Sequence, residues 1–530
     1  MRLPLRLFLV SLLIDPSCRV LCRLFSFILL DIVARIILPS TRPILIDKRM
    51  FVHRVCDYLL TMWVGRVTVN TLPDEVLLQI FHFNRVWHYR RRRTWRWDQL
   101  VHVCRRWRFV VFASPNFLQL RLICGPKTRA ELTGVWPPMP IIIQDDLDWS
   151  MPEDYDFDTA IAHPNRVCEI NLYNLKCSQL ERLASVMQQQ FPALTHLKLR
   201  VPGNNRHPSP TLPSGLLGGS APSLQLLRLH SIAFPALPNL LLSTTDLVHL
   251  TLWDIPHSGY ISPTAMVTAL AALAKLKVLA VGFQSPLSRP DHRSRRPPPQ
   301  ARTVFPALTR FEYNGVSEYL EDVVAQIDAP MLGSIKTTFY HQLTFDIPQL
   351  AQFMRRTTRI GALDGAHVNL YHNCIQVESL SPEQTVDEKS TLTITCRKLD
   401  WQLSSISSLA GILTSFFPFI YMVEHLYIRF NGPRYIPTQR QEDIENRRWM
   451  EIFQLFTAVK TLFVCKEFAE CNAFTCALQE LVGERVMNML PALESLSLEE
   501  IGTLEPTIGQ FVVARQFLDR PVTISQWNMT

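Results

Sequence analysis

One short phrase recurs along the chain and restricts its fold more than any other feature: L-x-x-L-x-L, in which the last two apolar residues are separated by one. It reads Phe191-Pro192-Ala193-Leu194-Thr195-His196-Leu197-Lys198-Leu199 and then Ala221-Pro222-Ser223-Leu224-Gln225-Leu226-Leu227-Arg228-Leu229. Further copies are Asp246-Leu247-Val248-His249-Leu250-Thr251-Leu252, Leu276-Lys277-Val278-Leu279-Ala280-Val281 and Phe305-Pro306-Ala307-Leu308-Thr309-Arg310-Phe311. A late copy is Leu490-Pro491-Ala492-Leu493-Glu494-Ser495-Leu496-Ser497-Leu498, and looser ones begin at Val423 and Val459. Apolar residues two apart share one face of a strand. The stretches between copies carry helical apolar spacing, over 177–190, 264–276, 317–327, 405–417, 449–459 and 475–490.

Counted on the first apolar residue, successive early copies lie 30, 23, 29 and 32 residues apart and the late ones 36 and 34. A strand and a helix of this combined length cannot bury their apolar faces alone, whereas stacked units share one continuous core. The expected fold class is therefore α/β, with an irregular leucine-rich-repeat-like α/β solenoid over 151–530. An ordinary α/β domain with several buried strands is the alternative. On the solenoid reading Leu197/Leu199, Leu227/Leu229, Leu250/Leu252 and Leu496/Leu498 lie on strands of one largely parallel sheet. The proline-rich stretches 201–222 and 286–306 read as surface loops.

Upstream of the phrases the signals are purely helical. Thr71-Leu72-Pro73-Asp74-Glu75-Val76-Leu77-Leu78-Gln79-Ile80-Phe81 starts with proline and two acids, which suit the unpaired amides of a first helical turn. Val76, Leu77, Ile80 and Phe81 then share a face. In Trp97-Asp98-Gln99-Leu100-Val101-His102-Val103-Cys104-Arg105-Arg106-Trp107 the residues Leu100, Val103, Cys104 and Trp107 form a second stripe, and Pro115 ends the pattern.

These two segments resemble the F-box, a short three-helix module. The family phrase L-P-x-E-[VIL]-L-x-x-I-F is matched by Leu72, Pro73, Glu75, Val76, Leu77, Ile80 and Phe81. The closing phrase V-C-[KR]-x-W is matched by Val103, Cys104, Arg105 and Trp107. The continuations Phe112-Ala113-Ser114-Pro115, Leu118-Gln119-Leu120-Arg121-Leu122 and Trp136-Pro137-Pro138-Met139-Pro140-Ile141 are similar to F-box proteins of mushroom-forming fungi. The resemblance implies a three-helix F-box over 69–125, preceded by an amino-terminal extension over 1–68 and followed by a linker over 126–150. It implies a substrate-recognition subunit of a Skp–cullin–F-box ubiquitin ligase, a binding protein and not an enzyme. Its partners would be the Skp adaptor, through it a cullin, and a target protein held by the repeats. The adaptor-binding residues carried over are Leu72, Pro73, Glu75, Leu77, Ile80, Phe81, Val103 and Trp107. A non-catalytic interaction scaffold with no ligase role is the alternative. Residues 83–96, with four consecutive arginines at 90–93, lengthen the gap between the two phrases.

Charge and reactive residues add limits. Residues 1–110 hold 19 Lys/Arg against 7 Asp/Glu, although the whole chain is only +8. Arginines 90–93 beside Trp87, Trp95 and Trp97 superficially suit nucleic acid, but a solvated loop is the plainer reading, and neither nucleic acid nor membrane is expected as a partner. The apolar runs at 7–14 and 24–30 fall short of the roughly 20 residues a membrane span requires. Residues 1–46 are expected to pack into neither module. The 12 cysteines are dispersed with no C-x-x-C, which points to reduced, half-buried thiols and a cytoplasmic or nuclear address. Asp154-Tyr155-Asp156-Phe157-Asp158 imitates a calcium loop, but Thr159 and Asn165 stand where the turn glycine and closing glutamate belong. No nucleophile elbow, phosphate-binding loop, H-E-x-x-H or dinucleotide fingerprint occurs, so no catalytic residue, metal or cofactor is expected.

Overall fold

Each copy of the phrase builds a tight turn and then a strand. A computed structural model of the chain shows this across the residues it describes, which are 72–90, 97–125, 138–145, 152–202, 210–290, 301–340, 347–357, 365–371, 374–380, 391–397, 423–431, 450–465, 490–499 and 506–527. The first apolar residue closes the turn: the amide of Leu194 donates to the Phe191 carbonyl, Leu224 to Ala221, Leu247 to Thr244, Leu276 to Leu273 and Leu493 to Leu490. Proline at the second turn position, as at Pro192, Pro222 and Pro491, has the φ such turns need and no N–H to leave unpaired.

The residue after that leucine ties one copy to the next. The Thr195 carbonyl accepts from the amides of both Gln225 and Leu226, Gln225 from Val248 and His249, Val248 from Lys277 and Val278, and Lys277 from Thr309 and Arg310. Register between neighbours is therefore set before the strand ladder begins.

The strands are β1 (Leu122–Cys124), β2 (Ile141–Gln144), β3 (Val167–Leu172), β4 (His196–Arg200), β5 (Leu226–His230), β6 (His249–Ile255), β7 (Val278–Phe283), β8 (Thr303–Val304) and β9 (Arg310–Gly315). They continue as β10 (Ile327–Asp328), β11 (Ser334–Tyr340), β12 (Gly365–Tyr371), β13 (Cys374–Leu380), β14 (Thr391–Arg397), β15 (His425–Asn431), β16 (Thr461–Val464), β17 (Ser495–Leu498) and β18 (Thr523–Gln526). All but β8 and β10, which pair with each other, belong to one 16-stranded sheet. From β2 to β11 the pairing follows chain order and is parallel. The exception follows β11: β14, β13 and β12 join in reversed order, with β13 antiparallel to both neighbours, before β15 to β18 resume the parallel order. The chain is thus α/β with a mostly parallel sheet, and the four leucine pairs named above all lie on it.

Alternation along each strand divides the sheet into two faces. Ile170, Leu197, Leu227, Leu250, Leu279, Phe311 and Ile335 stand side by side in register and are all buried. The helices between strands contribute the matching apolar stripes, such as Leu180 and Leu183, Met266, Val267 and Leu270, or Tyr319, Leu320 and Val323. Two of the buried tyrosine hydroxyls in this core are paired: Tyr313 donates to the Val316 carbonyl at 2.7 Å and Tyr319 to the Ile261 carbonyl at 3.0 Å.

By its contacts the chain divides into one unit of residues 1–122 with 134–140 and a second of 123–133 with 141–530. The first holds helices α1 (Asp74–Arg90), α2 (Asp98–Val101), α3 (Arg105–Ala113) and α4 (Pro115–Leu118). Residues 1–71, arginines 91–93, the expected helix at 405–417 and all but the last residue of that at 475–490 lie outside the described residues. Among the described residues no helix is long and apolar enough to cross a membrane.

Candidate functional site

Two surfaces are candidates, one on each unit. In the helical unit the two phrases are locked together. Phe81 meets Trp107 edge to face at 4.9 Å, and both are buried with Leu77, Leu100, Val101, Val110 and Leu118. Arg106 crosses from the second phrase to the first, binding Asp74 at 2.6 Å and the Leu72 carbonyl. Cys104 is the amino-terminal cap of α3, its Sγ accepting from the Trp107 amide at 3.4 Å. A cysteine three residues before the tryptophan thus fixes the helix start that aims the ring inward.

This packing sorts the eight residues carried over by resemblance. Leu77, Phe81 and Trp107 are interior, at 0 %, 1 % and 5 % exposure, so their side chains support the unit rather than present surface. Leu72 and Ile80 are partly buried against the same core. Pro73, Glu75 and Val103 are exposed, the last at 45 %. Exposed apolar side chains that the sequence reading did not assign to contact add to this surface: Val76, Phe109 and Phe117. The unit therefore keeps apolar surface that its own core does not cover.

The second surface is the sheet face opposite the core. Its occupants are the variable residues of the phrase: Lys198, Arg228, Thr251, Ala280 and Glu312 stand in register across β4, β5, β6, β7 and β9. With Tyr173, Arg200, His230, Trp253 and Arg310 they line a groove of about 280 Å³. Trp253 lies against Gly282, where a Cβ would come within 2.7 Å of the ring, so any larger residue there would displace the indole. β6 bulges between Leu252 and Ile255, with Asp254 in the left-handed region at φ 51° and its carboxylate 3.3 Å from His230.

The groove is electropositive. Arg310 pairs with Glu312 at 2.9 Å, whereas Lys198, Arg200 and Arg228 have no ion-pair partner among the described residues. Burial and the neighbouring Arg228 hold the Lys198 ammonium below its usual range. Burial lowers His249 too, reinforced by Arg228, Lys277, Arg310 and His196. Burial likewise lowers His230, with Asp254 opposing the shift and Arg200 adding to it.

Farther along the same face the character changes from cationic to aromatic. His367, Tyr427 and Phe463 are in register on β12, β15 and β16. Their rings stack at 4.1 Å per step, and Trp527 meets Tyr427 and Phe463 edge-on with the Arg429 guanidinium 5.2 Å from its centre. Burial, then Arg429, pushes His367 down from 6.5 to about 4.

The calcium-like acids have a structural use. Asp156 caps the helix Phe157–Ile161 by accepting from the Thr159 amide at 3.1 Å and from its hydroxyl. Cys104, Cys124, Cys168, Cys177 and Cys465 are free thiols and are buried or half-buried. Cys471 and Cys476 lie outside the described residues. No protein-family model matches the chain, and no curated protein matches it in sequence.

Proposed function

We propose that the chain is a substrate-recognition subunit of a Skp–cullin–F-box ubiquitin ligase. On this reading the helical unit docks on the Skp adaptor, and the sheet unit, an irregular leucine-rich-repeat-like solenoid, holds a target protein. The observation that carries the reading is the mutual locking of the two motif segments, Phe81 on Trp107 and Arg106 on Asp74, with apolar side chains left exposed around them. For the sheet unit, the support is the recurring tie in which one carbonyl takes two amides of the next copy. The chain itself supplies no chemistry on this account. It raises the effective concentration of a target near a ubiquitin-carrying enzyme supplied by the assembly, and it works in the cytoplasm or nucleus without a cofactor.

The surface set for the adaptor is Leu72, Pro73, Glu75, Ile80 and Val103. Affinity capture of the full chain from fungal cells, with and without proteasome inhibition, tests the whole reading. Adaptor and cullin are expected in both samples, and a target protein should accumulate under inhibition. Capture of the folded chain without adaptor would overturn it.

A further inference from the structure

We infer that the groove across β3 to β9 binds an extended acidic segment of a partner protein, whose carboxylates engage Lys198, Arg200 and Arg228. The inference deepens the receptor reading and rests on it for the partner's role as a target, but the binding itself does not involve the adaptor. Charge complementarity is the first argument. Three cations line one groove without ion-pair partners among the described residues, and Arg228 acts on His249 together with three further basic groups, Lys277, Arg310 and His196. Guanidinium forks bind carboxylates in paired, charge-assisted hydrogen bonds.

Dimensions are the second argument. Six strands at about 4.8 Å spacing give a span of about 24 Å, the length of about seven extended residues. The flat indole of Trp253 and the Tyr173 ring add apolar contact for a peptide's side chains. Interspersed carboxylates argue against nucleic acid. Glu169, Glu312 and Asp254 sit on or beside the same face, and they would repel a backbone that carries a charge at every nucleotide. A peptide can place its charges only where cations wait.

Fluorescence anisotropy on the full chain tests this, with a labelled peptide of about ten residues alternating glutamate and serine. Three matched probes accompany it: glutamine for glutamate, phosphoserine-glycine, and oligouridine. The glutamate peptide should bind, weaken as salt rises, and bind at least about tenfold more tightly than the glutamine peptide. The K198Q/R228Q double variant should lose at least about tenfold in affinity. A double variant of cations outside the groove, K275Q/R520Q, should lose nothing. If K198Q/R228Q melts below the parent chain, R200Q at an exposed position replaces it, with the same expected direction. Equal binding of the glutamine peptide would overturn the inference, as would wild-type affinity in a folded groove variant. So would phosphoserine or oligouridine binding through these residues while the glutamate peptide fails. Adaptor capture without peptide binding would remove this inference alone, and peptide binding without adaptor capture would remove the ligase reading alone.

Discussion

Replacing Leu77 by alanine should open the helical unit without disturbing the sheet unit. The side chain is wholly enclosed, on the same face of α1 as Phe81, whose ring meets Trp107. Truncating such a leucine forfeits transfer energy and leaves a cavity, together about 3 kcal/mol within a range of about 2–5. At about 1.4 kcal/mol per tenfold, local opening should become about a hundredfold more frequent. Hydrogen exchange read by mass spectrometry resolves this by segment. Amides of α3 should exchange about two orders of magnitude faster, while those of β4 to β7 keep their wild-type rates. Val76→Ala, one residue away but exposed, should change stability by no more than about 0.5 kcal/mol. Unchanged exchange in α3 of the Leu77→Ala protein would refute the interior placement. The same reasoning governs any interface test: substitutions at Leu77 or Phe81 report on folding first, whereas those at Val103 report on surface.

Other perturbations have equally definite outcomes. Glu321, buried on the helix Ser317–Val324, accepts from the amides of Gln349 and Leu350 at 2.9 and 2.8 Å, so it caps the helix Pro348–Arg356. Glu321→Ala should cost about 2–4 kcal/mol in urea unfolding and Glu321→Gln clearly less, because an amide keeps one acceptor; equal costs would contradict the capping role. His367 titrates lower in the folded chain than its ordinary 6.5, at about 4. The unfolded state therefore binds the proton first, and stability should fall as pH drops from about 6.5 to about 4, then level off. His367→Gln should flatten that part of the urea-midpoint profile, and a parallel profile would contradict the assignment.

The strand framework was legible because the phrase encodes both turn and register. Two copies escaped the reading for identifiable reasons. Val167-Cys168-Glu169-Ile170-Asn171-Leu172 starts with valine and has its proline, Pro164, three residues ahead instead of two, and the copy opening at Leu332 ends on Thr337 where the others have an apolar residue. Thr337 is nonetheless buried, and Ile335 pairs with Phe311. Expected helices overran their ends. The pattern 264–276 stops as a helix at Leu270, because Leu273 and Leu276 belong to the turn that opens the next strand and merely continue the apolar spacing. Similarly 177–190 ends at Val186 and 317–327 at Val324. The reversed order of β12 to β14 was not foreseen, since those segments carry no copy of the phrase. Nor was the groove, because its residues are the freely varying positions. Only when the copies are laid side by side do Lys198 and Arg228 become neighbours. In the helical unit the sequence identified the apolar residues but not which way each points, and Arg106, the cross-link between the two phrases, fell on a position the motif leaves open.

The most direct test of the account is the affinity of the purified full chain for purified Skp adaptor, measured by titration calorimetry beside a Val103→Asp variant whose circular dichroism and melting match the parent. The account predicts a saturable one-to-one complex that the variant weakens by at least about tenfold, as expected when a charge is forced into an apolar contact. A folded parent chain that shows no heat of binding at adaptor concentrations of about 0.1 mM would contradict it.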